Sequence, residues 1–407
     1  MRNSRQWPER GVSRIPFWVY SDPEIYAREQ ERIFQGASWN YVALEAEIPH
    51  PGDYKRTYIG DKSVVVIRAG DGGVTVVENR CAHRGLQFCQ LHLGHADEIM
   101  CPYHQWTYDL TGALIGVPFR RGVKQQGGMP ADFSLAEHGL RRLKVARRNG
   151  VVFASFSDAV ESFEEYLTPP ILELFDRVFD GRGLKVLGYS RQLTPGNWKL
   201  MFENIKDPYH ASILHVFLVS FGLNRVDQPN RVVIDRLGRH ASTMTSRGEQ
   251  KRTEDNADIR SLIEDLTLAG PAMLDPVREF PQYTVCMTTV WPNLIIQQQS
   301  NTLATRQIIT KGPGSFELAW TFFGYDDDDE AMTQRRLRQA NLMGPSGYVS
   351  IDDSEVMALA QQGIAHASEA SAVVELDGPG WREEQAHGVT ESEIRAFYDY
   401  YRTVMDL

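Results

Sequence analysis

The stretch that decides the fold begins with Cys81-Ala82-His83-Arg84-Gly85 and ends with Cys101-Pro102-Tyr103-His104. Each end supplies one cysteine and one histidine, and 17 residues lie between His83 and Cys101. Short β segments with turn residues between them surround this stretch, among them KRTYIG, KSVVVIRA and VTVVEN. The two motifs are therefore predicted to lie at the tips of neighbouring β-hairpins and to close around one small metal group.

Two thiolates and two imidazoles suit two kinds of metal centre. Zinc accepts two cysteines and two histidines in a tetrahedron. A Rieske [2Fe–2S] cluster has two cysteines on one iron and two histidines on the other. Zinc-binding loops usually give two like ligands each, whereas each loop here gives one of each type. We therefore expect a cluster held by Cys81, His83, Cys101 and His104. Cys89, between the motifs, has no matching partner and is left out of the ligand set.

A second group of candidate ligands follows Pro208. Because proline breaks a helix interior, we expect Asp207 to cap a new helix with Pro208 at its first position. His210 and His215 are five residues apart, about 140° around an ideal helix, so one metal can bind both only if the helix is distorted or the rotamers converge. A carboxylate would complete the two-histidine facial triad of non-haem Fe(II) oxygenases.

The candidates for this carboxylate are Asp352, Asp353 and Glu355. The residues alone do not choose among the three, and Ser350 with Asp353 also has the spacing of a capping box. The acidic run from Asp326 to Glu330 is interpreted as a solvated loop before a helix rather than a cation site, because acids favour helix N-termini.

The 407-residue length suggests two domains. Beyond the turn-rich region, consecutive long strands from QYTVCMTTVW to FELAWTFFGY are joined by short turns, which predicts an antiparallel sheet with separate helices, an α+β fold. We expect an N-terminal arm and helix at 1–38, a small antiparallel β domain at 39–157 and a larger catalytic domain at 158–407. Ser21-Asp22-Pro23-Glu24 has the pattern of a capping box with proline in the first turn, so the helix of the arm should begin there and run to about Phe34.

Composition excludes several classes of partner. A formal net charge of −10 argues against a nucleic-acid ligand, which needs clustered Lys and Arg. No apolar run has the length of a membrane span, and the N-terminal residues lack the apolar core of a signal peptide. The expected location is therefore the cytoplasm, with no membrane partner.

With both ligand groups in this order, the sequence resembles the large (α) subunits of Rieske non-haem iron ring-hydroxylating oxygenases. CAHRG and CPYHQW resemble the two cluster-binding loops, NIKDPYHASILH the iron-binding segment, and LMGPSGYVSIDD the segment that ends in the carboxylate ligand. The resemblance covers nearly the whole chain. It implies that His210, His215 and Asp353 bind the iron, and that Asn204 and Asp207 act beside them.

The resemblance also implies a Rieske domain joined to a helix-grip-like catalytic domain, and an α3β3 assembly with small β subunits. Electrons from NAD(P)H would arrive through a reductase, with or without a ferredoxin. Asp207 would bridge a cluster histidine of one subunit and an iron histidine of the next. A plain helix cap is the alternative role for Asp207.

GVPFRRGVK, GNWKL, KDPYHAS and TQRRLRQANL resemble members that act on aromatic carboxylates. We expect insertion of oxygen from O₂ into the ring of an aromatic carboxylate of the salicylate, anthranilate, benzoate or terephthalate type. Hydroxylation of a salicylate-type substrate is the first choice, and cis-dihydroxylation of a terephthalate-type substrate is the alternative. Arg306, mid-strand, and Arg395 are candidate partners for the carboxylate. A dealkylating monooxygenase remains open, as does a non-enzymatic Rieske electron carrier with a binding domain.

Overall fold

A computed structural model describes residues 5–221, 223–224, 227–246, 270 and 277–407 of the protein. The helices of this part are α1 Trp18–Ser21, α2 Pro23–Glu29, α3 Phe163–Leu167, α4 Pro169–Val178, α5 Trp198–Ile205, α6 Pro208–Ala211, α7 Val216–Ser220, α8 Glu330–Met343, α9 Tyr348–Ala365 and α10 Ser392–Met405. The strands are β1 Arg14–Pro16, β2 Asn40–Leu44, β3 Asp53–Ile59, β4 Lys62–Arg68, β5 Val74–Glu78, β6 Leu93–His95, β7 Ile99–Met100, β8 Thr107–Tyr108, β9 Leu114–Gly116, β10 Lys144–Arg148, β11 Val151–Ser155, β12 Leu184–Thr194, β13 Asn230–Ile234, β14 Ala241–Thr245, β15 Val285–Val290, β16 Leu294–Gln299, β17 Thr302–Thr310, β18 Phe316–Tyr325, β19 Ser371–Val373 and β20 Glu384–Gln385.

The chain divides into two compact units. The smaller unit is Phe34–Val160, and the larger unit joins the described residues of Met1–Ile33 to those of Glu161–Leu407. Among the described residues, no helix combines the length and apolar character needed to cross a membrane.

The smaller unit is built from three antiparallel sheets. Their strand orders are β5-β4-β3-β6, β10-β11-β2 and β7-β8-β9. The turns between these short strands are tight, as the sequence predicts. The core of the unit includes Cys81, Cys101 and Trp106, which pack with Val65 and Leu114. Both cysteine motifs are therefore anchored in the core of one small domain.

The larger unit is built on one eight-stranded antiparallel sheet of order β12-β18-β17-β16-β15-β14-β13-β20. The register places Ile295, Arg306 and Trp320 side by side on one face of this sheet. Thr289, paired with Ile295, lies on the same face and accepts a 2.8 Å hydrogen bond from Lys206, just beyond the end of α5. We call this the inner face. The predicted α+β class is confirmed.

Helix caps explain where several helices begin. The predicted capping box at Ser21 is wrong, because Ser21 ends α1. Asp22, with Pro23 at the first position, caps α2 instead by accepting hydrogen bonds from two backbone N–H groups. The regular helix ends at Glu29, and a π-helical turn continues it over Gln30–Phe34. Asp329 caps α8 by accepting a hydrogen bond from the backbone N–H of Met332, so the acidic run does precede a helix.

One part of that acidic run was interpreted incorrectly. The side chain of Asp328 is 6% exposed rather than solvated, and it pairs with Arg336 at 2.7 Å. The same Asp328 carboxylate accepts a hydrogen bond from the backbone of Tyr325. This carboxylate is therefore a structural ion-pair partner and not a cation ligand.

Candidate metal centres

The two cysteine loops of the smaller unit have the same backbone geometry. In the first loop, Cys81 donates its backbone N–H to Leu86 and accepts one from Gly85. In the second, Cys101 donates to Trp106 and accepts from Gln105. Gly85 and Gln105, at equivalent positions, have positive φ angles of 77° and 54°. Glycine adopts this conformation without strain, whereas Gln105 holds it at a cost of about 1–2 kcal/mol.

The side chains of these loops are sorted by type. Cys81 and Cys101 are buried and lie close enough for each sulfur to respond to the charge of the other. Burial raises the pKa of the Cys101 thiol, and the neighbouring Cys81 sulfur adds to that effect. The rings of His83 and His104 lie together, with centroids 4.6 Å apart. Sulfur facing sulfur and imidazole facing imidazole fit a cluster with one iron for each ligand type better than a single zinc ion.

Two aromatic residues complete this centre. Trp106 is buried and stacks on the His83 ring at 4.7 Å, with 6° between the planes. The Tyr108 hydroxyl accepts a hydrogen bond from the backbone of Ala82 and lies 3.2 Å from the Cys81 sulfur, to which it can donate its proton. Sequence reasoning missed Tyr108 because nothing in the motif spacing indicates where its hydroxyl points.

A second cluster of ligands lies in the larger unit. Ligand atoms of His210, His215 and Asp353 all fall within 4.8 Å of one another. Asp353 Oδ1 is 3.4 Å from Nε2 of His210 and 3.2 Å from Nε2 of His215. Metal–ligand bonds of about 2.0–2.2 Å put neighbouring ligand atoms roughly 3 Å apart. The spacing of these three side chains therefore fits a single metal ion.

A break between two short helices lets His210 and His215 reach one metal ion although they are five residues apart. Helix α6 ends at Ala211, one residue beyond His210. His215 is the N-cap residue of the next helix, α7, and is 2% exposed. The chain therefore changes direction between the two histidines, and both imidazoles reach one point without the distortion of a continuous helix.

The structure also separates the three candidate carboxylates. Asp353 faces both histidines from within α9, whereas Glu355 is exposed. Asp352 lies 3.3 Å from Nδ1 of His215, the ring nitrogen that faces away from Asp353, and can hold that ring in place. The capping-box alternative for Ser350 is wrong, because Ser350 lies inside α9 and donates to the carbonyl of Met343.

The electrostatics of this site suit a cation. Burial disfavours the ionised Asp353, but hydrogen bonds from His210 and His215 outweigh burial and hold its pKa far below the usual range. Burial likewise opposes the charged His210 ring, yet Asp207 and Asp353 raise the pKa of His210 to about 10. Positive charge is therefore favoured where the three side chains meet, and a metal ion can supply it in place of protons.

Asn204 and Asp207 adjoin the three ligands. The Asn204 amide nitrogen lies 2.9 Å from Asp353 Oδ1 and 3.3 Å from Nε2 of His210. Asp207 uses Oδ1 to cap α6, accepting from the backbones of Tyr209 and His210. Its Oδ2 is 3.6 Å from Nδ1 of His210, which is long for a hydrogen bond and close for a charge pair. The cap and the contact with histidine therefore coexist in one carboxylate.

The two candidate substrate arginines differ in their surroundings. Arg306 is 3% exposed on the inner face, donates to the Gln297 side-chain oxygen and lies 4.0 Å from the Trp320 ring centre. Burial lowers the pKa of Arg306 to about 9, and the charge of Asp353 acts in the opposite direction. Arg395 instead donates to the backbone carbonyls of residues 374, 376 and 380. Arg395 therefore has a structural role and is not proposed as a substrate contact.

Comparison with known protein families agrees with these two centres. The description "Rieske [2Fe-2S] domain" matches residues 38–126. The description "Ring hydroxylating alpha subunit (catalytic domain)" matches residues 184–407, more than half of the chain. The first match contains the Cys81 and Cys101 loops, and the second contains His210, His215 and Asp353.

Individual relatives match over nearly the full length. The large oxygenase component of salicylate 5-hydroxylase from Ralstonia sp. is 52% identical, over 98% of this chain and 96% of the relative. The terminal oxygenase component subunit alpha 2 of terephthalate 1,2-dioxygenase from Comamonas sp. is 42% identical, over 98% and 97%. The crystal structure of naphthalene 1,2-dioxygenase from Rhodococcus sp. bound to indole has a TM-score of 0.79 and 26% identity, covering 96% of this chain and 94% of that one.

Proposed function

Because the chain belongs to the family of ring-hydroxylating oxygenase alpha subunits, we propose that it hydroxylates the ring of an aromatic carboxylate. It is the oxygenase component, with a Rieske [2Fe–2S] domain and a catalytic domain for mononuclear iron, and it receives NAD(P)H electrons through a reductase. The relatives named for salicylate and for terephthalate support this substrate class. A salicylate-type substrate is the first candidate because that relative is the more similar of the two.

The main support for an aromatic carboxylate as the substrate is the environment of the Arg306 side chain. No carboxylate of the described residues lies within ion-pair distance of this buried guanidinium, and its side-chain acceptor is the neutral amide of Gln297. A buried charge without a counter-charge is costly unless a ligand provides one. A planar guanidinium binds a carboxylate through two parallel hydrogen bonds. Arg306 also lies close enough to Asp353 to respond to its charge, which relates this carboxylate site to the metal centre.

We assign the remaining residues as follows. Cys81, His83, Cys101 and His104 hold the cluster, and His210, His215 and Asp353 hold the iron. When bound, these groups supply single electrons and the activation of O₂. Arg306 binds the substrate carboxylate and fixes the ring. Asn204 orients Asp353, and Asp207 orients His210.

The assembly and domain boundaries are part of the same proposal. We assign residues 39–157 to the Rieske domain, 158–407 to the catalytic domain and 1–38 to an arm with its helix. We propose small β subunits in an α3β3 complex, and a ferredoxin or the reductase itself as electron donor. The mass of the complex in solution, measured by light scattering with and without a co-expressed small subunit, tests the stoichiometry.

The first prediction tests Arg306. Arg306→Gln should lower kcat/KM for salicylate or benzoate, mainly through a higher KM, because the carboxylate loses its charged partner. Loss of such a buried pair costs about 2–4 kcal/mol, or roughly 30- to 700-fold. Initial rates with a compatible reductase provide the measurement, and Arg191→Gln, on an exposed strand position, is the matched control. Iron content and cluster reduction by dithionite should not change.

An unchanged KM for benzoates, or faster turnover of naphthalene than of any benzoate by the native protein, would overturn the carboxylate assignment. Mass analysis of products formed under ¹⁸O₂ then counts the inserted oxygen atoms. One labelled atom in a phenol product supports monohydroxylation, and two in a cis-diol support the dioxygenase alternative.

A further inference from the structure

The smaller unit carries positive charge in an otherwise acidic chain. Phe34–Val160 has 14 Lys and Arg against 12 Asp and Glu, whereas the whole chain has 43 against 53. No acidic residue occurs between Asp109 and Asp132, and that interval contains Arg120, Arg121 and Lys124. All three are exposed, and within the described part of the chain none of them pairs with a carboxylate. These three charges are available to a partner.

The segment that carries these charges, Val117–Pro130, is ordered by its own backbone. Val123 and Gln126 exchange two hydrogen bonds of 3.0 Å each, and Met129 donates to Arg120 at 2.9 Å. Between Val123 and Gln126, Lys124 and Gln125 both have positive φ, at 52° and 63°. Non-glycine residues hold this conformation at a cost, and such strain is concentrated at functional surfaces. We call this segment the basic loop.

The basic loop also presents apolar side chains to solvent. Phe119 is 76% exposed and Val123 is 53% exposed. Phe119 has a φ of 58°, so its backbone too is held in the left-handed region. Exposed aromatic side chains beside unpaired cations form the kind of surface that binds an acidic protein, with the charges setting the association rate.

Residues near the two ends of the basic loop pack on the core that contains the proposed cysteine ligands. Val117 and Met129 pack against the core that contains Cys81, Cys101 and Trp106. Trp106 in turn stacks on His83. A protein bound at the basic loop therefore contacts a segment whose Val117 and Met129 pack on the core that contains both proposed cysteine ligands.

Building on the proposed function, we propose that the basic loop is the docking surface for an acidic one-electron carrier protein. Each productive encounter oxidises the carrier by one electron and reduces the Rieske cluster by one, with no bond made or broken. The three cations attract the carrier, and Phe119 with Val123 contacts an apolar patch near its redox centre. A second copy of this chain is the competing occupant.

Equilibrium binding tests this proposal without turnover. A plant-type [2Fe–2S] ferredoxin of net negative charge, labelled with a fluorophore, is titrated with the oxidised holoprotein at salt concentrations from ~20 to ~300 mM. The triple variant Arg120→Glu, Arg121→Glu, Lys124→Glu should weaken binding at low salt about tenfold or more and flatten its salt dependence. Phe119→Ser should weaken binding about threefold to tenfold at every salt concentration.

A control variant with the same change in net charge distinguishes the effect of the loop charges from that of the net charge of the whole protein. Lys62→Glu, Lys185→Glu and Arg338→Glu lie outside the basic loop. This control should change the ferredoxin Kd less than about threefold. Equal loss of binding in the two triple variants, or no loss in the loop variant, would overturn the proposal. So would a change of oligomeric state, measured by light scattering, that is confined to the loop variant, because a second copy then covers this surface.

Cluster reduction provides a second readout. Reduction by ferredoxin in a stopped-flow instrument should slow in the loop variant in parallel with binding, whereas dithionite should reduce the native and variant clusters equally. These outcomes do not depend on the aromatic substrate. If loop-dependent binding is found but no aromatic carboxylate is hydroxylated, the proposed function fails and the docking surface stands. If an aromatic carboxylate is hydroxylated but ferredoxin binding does not depend on the loop, the docking surface is wrong and the proposed function stands.

Discussion

A single hydroxyl group contacts the sulfur of Cys81, a proposed cluster ligand. The buried Tyr108 hydroxyl lies 3.2 Å from the Cys81 sulfur, and burial together with that sulfur raises the pKa of Tyr108, so the hydroxyl keeps its proton and donates it when Cys81 is a thiolate. A hydrogen bond to a ligand sulfur stabilises the reduced cluster, which carries one more negative charge.

Tyr108→Phe should therefore lower the reduction potential of the cluster. The expected change is roughly 50–100 mV, from the strength of hydrogen bonds to charged groups and 59 mV for each tenfold change in a one-electron equilibrium. An EPR-monitored redox titration measures it. Tyr103→Phe is the matched control, since Tyr103 is exposed and no hydrogen-bond partner for its hydroxyl lies within the described residues. An equal potential in the native protein and Tyr108→Phe would contradict the prediction.

At the scale of the element, helix α6 shows how one short helix serves both folding and chemistry. It spans only Pro208–Ala211, so it depends on the Asp207 cap for its start. The same carboxylate faces His210 with its second oxygen. Replacement of Asp207 by a residue that still caps the helix separates the two roles.

Asp207→Asn keeps a cap oxygen but removes the negative charge opposite His210. We expect iron and cluster contents to remain and substrate hydroxylation to fall by about 10- to 100-fold, the usual loss when the partner of a metal ligand is removed. The measurements are metal analysis and product formation per electron delivered. Asp22→Asn is the matched control, because Asp22 caps α2 ahead of a proline in the same way. If both variants hydroxylate at the native rate, Asp207 is a helix cap alone.

At the scale of the whole molecule, a buried polar network joins distant parts of the larger unit. Glu29 of α2 pairs with Lys199 of α5 at 2.6 Å and accepts from Tyr401 of α10 at 2.6 Å. One turn further along α5, Glu203 accepts a hydrogen bond from Tyr398 of α10. Removing one member of such a network leaves the others buried without partners. The N-terminal helix is thereby fixed to the unit that holds the candidate iron ligands.

This network makes stability depend on pH. Burial raises the pKa of Glu203 to about 7, above the value near 4.3 of an unfolded chain. A raised pKa means that the folded protein holds a proton that the unfolded chain has released. The contribution of Glu203 to stability is therefore fully present below about pH 4.3 and is lost as pH rises towards 7.

Glu203→Gln removes that loss, because a neutral amide keeps an acceptor for Tyr398 without the buried charge. The variant and the native protein should differ little in Tm near pH 5, and the variant should be several degrees more stable at pH 8, for a difference of about 1–3 kcal/mol. Calorimetry across this pH range provides the measurement. Glu330→Gln, on the exposed first turn of α8, is the control. A variant less stable than the native protein at pH 8 would show that the Glu203 charge is stabilising.

The sequence by itself predicted the features that depend on local spacing. The cysteine–histidine motifs predicted a Rieske [2Fe–2S] domain, because each motif forms a turn within a few residues. Asp207 and Pro208 predicted the start of α6, since capping needs only neighbouring backbone groups. Consecutive strands with tight turns predicted the antiparallel sheet and hence the α+β class.

Tertiary structure decided what depends on contacts between distant residues. It placed Asp353 rather than Glu355 against His210 and His215. Only one side of α9 faces the two histidines, and residues two positions apart on a helix point in different directions. It gave Arg395 three backbone acceptors and left Arg306 without a counter-charge among the described residues. Sequence patterns specify turns and periodicity, whereas the burial and partners of a charge depend on which other segments pack around it.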